Sequence, residues 1–125
     1  MILDSIQHAA IFSSSYSAAK DFYVNKLGFQ VIREDLRGGK NDWIMYLKSG
    51  NIELEIFVKP HLPKKPEERT VGLDHLCFRV DSVQQTVNEL AEVGIECQPI
   101  KTDELVGGRM TFFYDPDGLK FELHE

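Results

Sequence analysis

The sequence predicts an α+β protein made of two βαβββ modules, and three observations support this prediction. Short apolar runs of strand character alternate with two amphipathic stretches of helical period. Glycine and proline residues separate these runs at the places where turns are needed. The order strand, helix and three strands occurs twice along the 125 residues. We expect the modules to form a single domain over residues 1–125, with a curved mixed sheet around a cleft.

The first module is predicted to occupy about residues 5–58. A strand over residues 6–12 is followed by serines that can cap a helix. The helical stripe contains Ala19, Tyr23 and Leu27, and Gly28 is placed to end the helix. Three further strands are expected over residues 29–34, 43–47 and 52–57, with turns at residues 37–41 and 49–51.

A proline-containing linker is predicted over about residues 58–71, because proline lacks the amide proton that regular structure needs. The second module follows over about residues 72–125. It begins with a strand over residues 73–80, and its helix starts at Ser82, with Gln85 completing a capping box, and ends at Gly94. Its last three strands are expected over residues 96–100, 110–114 and 119–123, with turns at residues 106–108 and 115–118.

Composition excludes several classes of partner. The chain has a net charge of −6, whereas nucleic acid and anionic membranes select basic surfaces. No apolar run approaches the roughly 20 residues of a membrane span, and no secretory signal is evident at the N-terminus. The two cysteines, Cys77 and Cys97, are expected to be buried free thiols. We therefore expect a cytoplasmic protein whose partner is a small molecule.

The repeat has a fixed offset that brings titratable residues into register. His75 follows His8 by 67 residues, and Glu122 follows Glu55 by the same 67 residues. A single His or Glu on the wet face of a strand is usually just solvated. Ordinary surface residues need not recur in matched pairs, so the shared offset favours a functional role for all four.

Strand alternation places these four residues on the polar faces of their strands. Successive side chains of a strand point to opposite faces, so Glu55 lies opposite the apolar Leu54 and Ile56. His75 and Glu122 have the same relation to their own apolar neighbours. Two imidazoles and two carboxylates in one cleft suit a divalent ion of the Ni, Co, Zn, Fe or Mn group.

The chain resembles the vicinal oxygen chelate superfamily and, within it, the glyoxalase I-like proteins (the glyoxalase, bleomycin resistance and dioxygenase family). The resemblance covers nearly the whole chain. It rests on the segments that contain His8 (6–10), Asp21-Phe22-Tyr23, Leu27-Gly28-Phe29, Glu55 (52–56), His75 (72–78) and the turn and strand before Glu122 (112–123).

The resemblance implies a metal site and a reaction. Family ligands fall on His8, Glu55, His75 and Glu122, and His at the first of these positions is similar to the nickel- or cobalt-activated glyoxalases. The implied activity is that of a lyase or isomerase, similar to lactoylglutathione lyase, which acts on a small α-hydroxycarbonyl compound or thiol adduct through an enediolate. The family's catalytic base corresponds to Glu122, and Glu55 corresponds to the other carboxylate that binds the metal.

Three departures bear on the substrate. Glutathione-dependent relatives carry Arg, Asn and Arg at positions that are Phe12, Lys59 and Val71 in this chain. The metal site is therefore better supported than glutathione. Trp43 and Tyr46 are candidates either for a pocket wall or for the core. An anionic substrate could instead be bound by one of four arginines, Arg33, Arg37, Arg79 and Arg109.

Alternatives remain open at this point. A metal-dependent epimerase or thiol transferase of the same fold would use a similar ligand set. The third interpretation is a non-catalytic protein that sequesters a ligand in its cleft, as in antibiotic resistance. The long linker also predicts a homodimer in which modules exchange between chains, as an alternative to closure within one chain.

Overall fold

The computed structural model describes residues 1–38 and 42–125. They form two compact units, Met1–Pro63 and Lys64–Glu125, whose boundary lies within the predicted linker. The predicted α+β class with two βαβββ modules is confirmed. The elements in chain order are β1 (Ala9–Ser13), α1 (Tyr16–Ala19), a π-helix (Lys20–Lys26), β2 (Gln30–Leu36), β3 (Trp43–Ser49), β4 (Ile52–Val58), β5 (Leu76–Arg79), α2 (Val83–Glu92), β6 (Lys101–Thr102), β7 (Arg109–Tyr114) and β8 (Lys120–His124).

In the first unit, a four-stranded sheet has the order β1-β4-β3-β2. β1 runs parallel to β4, and the other neighbours are antiparallel. Ser15 caps α1, since its Oγ accepts from the Ala18 amide at 3.2 Å. The helix continues as a π-helix, in which the Leu27 amide donates to the Phe22 carbonyl five residues back. Gly28 follows with φ of 81°, the left-handed conformation that ends helices.

The second unit repeats this plan with the sheet order β5-β8-β7-β6. Ser82 caps α2 by accepting from the Gln85 amide at 3.2 Å, while the Gln85 side chain donates forward to Glu89. The first half of the predicted capping box is therefore present. The buried Asp115 carboxylate accepts from the amides of Asp117 and Leu119 at 2.9 and 2.8 Å. This turn sets where β8 begins and hence where Glu122 lies.

The two sheets share one register. In the first, Ala9 pairs with Leu54 and Ala10 with Glu55. In the second, the residues 67 positions later are paired in the same way, Leu76 with Phe121 and Cys77 with Glu122. Each sheet buries its apolar face, and the fully buried side chains include Leu54, Ile56 and Phe121. The sequence repeat is therefore also a repeat of backbone pairing.

Several predicted boundaries were wrong. The strands expected from residues 6 and 73 begin at Ala9 and Leu76, because the apolar side chains of Ile6 and Leu73 are 86% and 75% exposed and bury nothing. The strand expected over residues 96–100 is replaced by the short β6, since Pro99 has no amide proton to donate to the ladder. The predicted turn at residues 37–41 lies partly outside the described residues.

Over the described ranges, every helix falls short of the length and apolar character that a membrane span requires.

Candidate metal centre

The four predicted ligands occupy equivalent positions in the two units. His8 directly precedes β1, and Glu55 lies in β4, whereas His75 directly precedes β5, and Glu122 lies in β8. Each His stands two residues before the position that pairs with its Glu. Residues i and i+2 of an extended chain face the same side, so each His and Glu converge on the polar face.

The first pair is His8 with Glu55. The His8 Nε2 atom lies 3.2 Å from Glu55 Oε2, and the side chains are 38% and 23% exposed. The other ring nitrogen, Nδ1, contacts Gln7 Oε1. Two hydrogen bonds orient the Gln7 side-chain amide, whose Nε2 atom donates to the Tyr46 hydroxyl at 3.0 Å and to Glu53 at 3.3 Å. The Tyr46 ring also stands edge-on to His8 at a centroid distance of 6.2 Å.

The second pair, His75 with Glu122, is tighter. The His75 Nε2 atom lies 2.7 Å from Glu122 Oε2, and the side chains are 29% and 11% exposed. His75 Nδ1 lies 2.6 Å from Asp74 Oδ2, which also accepts from Lys120 Nζ at 2.8 Å. Lys120 and then His75 lower the pKa of the Asp74 carboxyl to about 2, so Asp74 is charged at neutral pH. The Phe112 ring stands edge-on to His75 at 5.6 Å.

The hydrogen-bond donors and acceptors of each His–Glu pair are arranged in a way that suits a bound cation. A neutral imidazole has one N–H, and the Nδ1 atom of each His faces an oxygen acceptor. The Nε2 lone pair is then directed at a carboxylate oxygen, a contact that is satisfied only by a proton or by a cation between the two atoms. Histidines that ligate metals usually donate their second N–H to a carboxylate, carbonyl or water in this way. The residues present therefore fit a metal.

The spacing of the donor atoms also fits. Two ligands about 2.1 Å from an octahedral ion and at right angles to each other are about 3.0 Å apart. The observed nitrogen–oxygen distances are 3.2 Å and 2.7 Å. Within residues 1–38 and 42–125, no group of three or more His, Cys, Asp or Glu is placed to hold a metal ion. Each His–Glu pair could therefore supply two ligands to a metal ion, and a complete coordination sphere would need further donors.

The residues that support the ligands were missed at the sequence level. Gln7 and Asp74 are separated by the same offset as the ligands, and so are Glu53 and Lys120, which contact them. The sequence signal for these contacts is the residue that precedes each His, Gln7 or Asp74. A comparison of identical residues passes over it, because an amide and a carboxylate are different residue types, although both oxygens can accept the histidine proton.

Other candidates have structural partners. Trp43 packs against Tyr16 with ring centroids 4.5 Å apart, and Arg33 is paired with Asp35 at 2.7 Å. His124, for which the sequence offered no partner, lies with its Nε2 atom 3.0 Å from Asp103. Glu125's carbonyl, Asp103 and the charge of Glu122 raise the pKa of His124. These residues therefore have partners outside the two His–Glu pairs. His124 nevertheless lies close to one pair, because it is two residues after Glu122 on β8.

The cysteines are free, as predicted, but they are not buried. Cys97 is half-buried, and Cys77 is exposed on the face that carries His75. Desolvation around the sulfur, followed by the negative charge of Glu122, nevertheless raises the pKa of the Cys77 thiol to about 11. The thiol therefore stays protonated at neutral pH, and the thiolate that nucleophilic attack requires is not available.

The chain belongs to the Glyoxalase/Bleomycin resistance protein/Dioxygenase superfamily, whose family profile matches residues 5–123. The crystal structure of a glyoxalase family protein from Enterococcus faecalis is 48% identical, with a TM-score of 0.94 and full coverage of both chains. YwkD of Bacillus subtilis is 46% identical over 127 residues, covering 100% of this chain and 99% of YwkD.

A more distant likeness shows the fold alone. It is to FosX, a fosfomycin resistance protein of Listeria monocytogenes, crystallised as a mutant with Mn(II) and 1S,2S-dihydroxypropylphosphonic acid. FosX is 19% identical with a TM-score of 0.73, and the match covers 98% of this chain and 90% of FosX.

Proposed function

We propose that this protein is a metal-dependent enzyme of the glyoxalase I type, a lyase or isomerase acting on a small α-hydroxycarbonyl compound or thiol adduct. The observation that carries the proposal is the pair of His–Glu contacts at one register, each with an oxygen acceptor behind the histidine ring. Membership of the superfamily and the Mn(II)-containing FosX agree with this chemistry.

The proposed ligands are His8, Glu55, His75 and Glu122, two from each unit. Imidazole and carboxylate donors suit Ni or Co, which the His at the first position favours, and also Zn, Fe or Mn. When bound, such an ion acts as a Lewis acid that stabilises negative charge developing on substrate oxygens. Asp74 and Gln7 hold the ring orientation of the two histidines, so the donor atoms are directed before a metal arrives.

Glu122 is the proposed catalytic base, and Glu55 serves mainly as a ligand. The reaction moves a proton between adjacent carbons, which requires one carboxylate to accept and return it. Glu122 lines a cavity of about 710 Å³ in the second unit, so a substrate carbon can approach its oxygens there. Its low exposure limits access of bulk water to the carried proton.

Glutathione is not the thiol that these surroundings support. Phe12 is exposed and packs against Phe57 with ring centroids 5.9 Å apart. Lys59 donates to Asp42 at 2.9 Å, and Val71 is fully exposed with no polar group in its side chain. None of the three offers the guanidinium or amide contacts that the glutathione-dependent relatives are expected to use.

The experiment begins with protein purified without added metal, followed by elemental analysis and reconstitution with Ni, Co, Zn, Fe or Mn. Each form is then given methylglyoxal with glutathione, with cysteine and with other small thiols, and hydroxyacyl thioester formation is followed by absorbance. Turnover that needs the metal and is lost in Glu122→Gln supports the proposal. Stoichiometric metal without exchange of any substrate carbon proton would instead favour a binding protein.

A homodimer with shared sites is also proposed. The chain between β4 and β5 is long enough for the units to associate with those of a second chain, and among the described residues each unit offers one His–Glu pair at the proposed site. His8→Ala and His75→Ala chains should each be inactive. Mixing them restores one intact site per mixed dimer if the sites are shared between chains. Absence of recovery, with subunit exchange demonstrated by mass, would exclude sharing.

A further inference from the structure

The cavity beside Glu122 contains one guanidinium group. Its walls include Cys77, Arg79, Asp103, Gly107, Glu122 and His124. Cys77 and Arg79 lie on β5 at the two positions that pair with Glu122 and His124 on β8. Because side chains alternate along a strand, Arg79 faces the same side as His75 and Glu122. A group bound at Arg79 therefore shares the polar face with the proposed catalytic pair.

The negative groups of this cavity are already paired with other residues. Asp103 is paired with His124 at 3.0 Å, and Glu122 with His75 at 2.7 Å. Glu125 accepts a hydrogen bond from the Arg109 amide at 3.3 Å. Considering the described part of the chain, the Arg79 side chain forms neither a hydrogen bond nor an ion pair. Its five donors are available for a ligand with several acceptor oxygens.

The fold does not require arginine at this position. The residues of the first unit at the same offset of 67 are Phe12 and Phe57, which form the corresponding register pair. There the two side chains are aromatic and pack on each other at 5.9 Å. In the second unit the same ladder position carries Arg79 and His124. The repeat thus keeps the His–Glu pair in both units and makes this adjoining position cationic in only one of them.

The part of the cavity wall formed by residues 103–108 is held in place by hydrogen bonds. Asp103 Oδ1 accepts from the amides of Leu105 and Val106 at 2.8 and 3.3 Å, and its Oδ2 atom contacts His124. The Gly107 amide donates to the Asp103 carbonyl at 2.9 Å. A Cβ atom at Gly108 would lie 3.0 Å from His124 Cε1, so this loop packs tightly on the His124 ring. The cavity therefore has a preformed wall rather than a loose loop.

We propose that Arg79 binds an oxyanion of the substrate, a carboxylate, phosphate or phosphonate group, and orients its carbonyl end toward Glu122. This inference rests on the proposed function and names its substrate class. Arg79 and Cys77 are two residues apart, about 6.6 Å along the strand, and Cys77 pairs with Glu122. The oxyanion and the proton-bearing carbon are then separated by only a few bonds. A chain of net charge −6 does not attract anions by its overall field, so specific donors must hold them.

The first test is independent of catalysis and uses metal-free protein. The side-chain Nε–H signal of Arg79 is assigned in nitrogen-15 NMR spectra by its loss in Arg79→Lys, and methylphosphonate is then added. We expect a saturable shift of that signal, with no shift from the neutral dimethyl sulfone. Isothermal titration measures the affinity of both proteins for methylphosphonate, because Arg79→Gln lacks the reporting signal; the affinity should fall roughly 10- to 100-fold in Arg79→Gln, since a bidentate charge-assisted contact is lost. Arg33→Gln is the control, since Arg33 is already paired with Asp35. Equal shifts at Arg33 and Arg79, or no saturation, would overturn the proposal.

The second test asks whether the bound anion is oriented for reaction. The reconstituted enzyme is incubated in deuterated water with dihydroxyacetone phosphate or with neutral dihydroxyacetone, and exchange of the carbon-bound protons is measured. Arg79→Gln should lower kcat/KM for the phosphate compound at least tenfold and leave the neutral compound unchanged. An equal loss for both compounds would show a structural role and overturn the proposal. If the wild type exchanges neither compound, the proposed reaction fails for these substrates, and methylphosphonate binding alone decides the role of Arg79.

Discussion

The two units place the same His–Glu pair on the same ladder, yet they support it differently. In the first, the two atoms are 3.2 Å apart, and the histidine is backed by the neutral amide of Gln7. In the second, they are 2.7 Å apart, and the histidine is backed by Asp74, which Lys120 holds in its charged form. Backbone register therefore sets where the proposed ligands lie, and the neighbouring side chains set how firmly they are held.

This difference predicts unequal contributions to metal binding. A carboxylate behind an imidazole raises its basicity as a ligand more than a neutral amide does. Glu122 is also less exposed than Glu55, with side-chain exposures of 11% and 23%. The second pair should therefore bind the metal more strongly than the first, and the predictions that follow probe this inequality.

The largest effect is expected for His75→Ala. Removing this imidazole takes away the better-supported nitrogen ligand, so stoichiometric binding of a divalent metal should be abolished while unfolding stays cooperative. Elemental analysis and isothermal titration measure the loss. His8→Ala should weaken metal binding less. His61→Ala is the control, because His61 is exposed and lies in the segment between β4 and β5. Unchanged metal content in His75→Ala would remove this residue from the site.

The next effect concerns the two carboxylates. Glu122→Gln should lower kcat by about 10²–10⁴ with metal still bound, because the amide cannot accept the substrate proton. Glu55→Gln should reduce metal affinity at least as much as it reduces turnover. Solvent-proton exchange at the substrate carbon separates the two variants. Exchange that survives in Glu122→Gln and disappears in Glu55→Gln would reverse the assigned roles.

A smaller effect is expected at the residues behind the histidines. Asp74→Asn removes the charge that acts on His75 and separates Lys120 from its partner, so metal affinity should fall about 10- to 100-fold. Gln7→Ala should cost less, because a neutral contact is removed. Asp81→Asn, at an exposed carboxylate, serves as the control for charge alone. Equal losses for Asp74→Asn and Gln7→Ala would show that the two units support their ligands equally.

Much of this architecture was predictable because it follows from periodicity. The strand faces follow from alternation, and Ser15, Ser82, Gly28 and Gly94 act as the helix boundaries that their chemistry suggests. The strand expected around Pro99 is absent, because ladder formation depends on an amide proton that proline lacks.

The site was predictable only in part. Identical residue types at a fixed offset revealed His8 with His75 and Glu55 with Glu122. The supporting contacts involve different residue types at the same offset, such as Gln7 and Asp74, and a comparison by residue identity passes over them. Arg79, whose guanidinium has no ion-pair partner among residues 1–38 and 42–125, was one of four candidate arginines in the sequence. Only the placement of side chains distinguishes it from Arg33, which has an acidic partner.

The smallest expected effect compares the two helix caps, which are also 67 residues apart. Ser15 and Ser82 each accept from the amide three residues on at 3.2 Å. Replacement of either by alanine should lower the free energy of unfolding by about 1 kcal/mol, and replacement by glycine by a few tenths. The Ser15 side chain has an additional contact, since its Oγ atom lies 3.2 Å from Ser17 Oγ. Ser15→Ala should therefore be the more destabilising of the two.

Urea denaturation of the metal-free protein measures both variants, with Ser5→Ala at an exposed position as the control. Metal affinity should not change in either variant, because the hydrogen bonds of the capping serines in the described ranges are to residues other than those of the His–Glu pairs. A loss in Ser82→Ala that clearly exceeds the loss in Ser15→Ala would show that the longer helix α2 depends more on its cap than the short α1 does. The inequality between the units would then extend from the ligands to the helices.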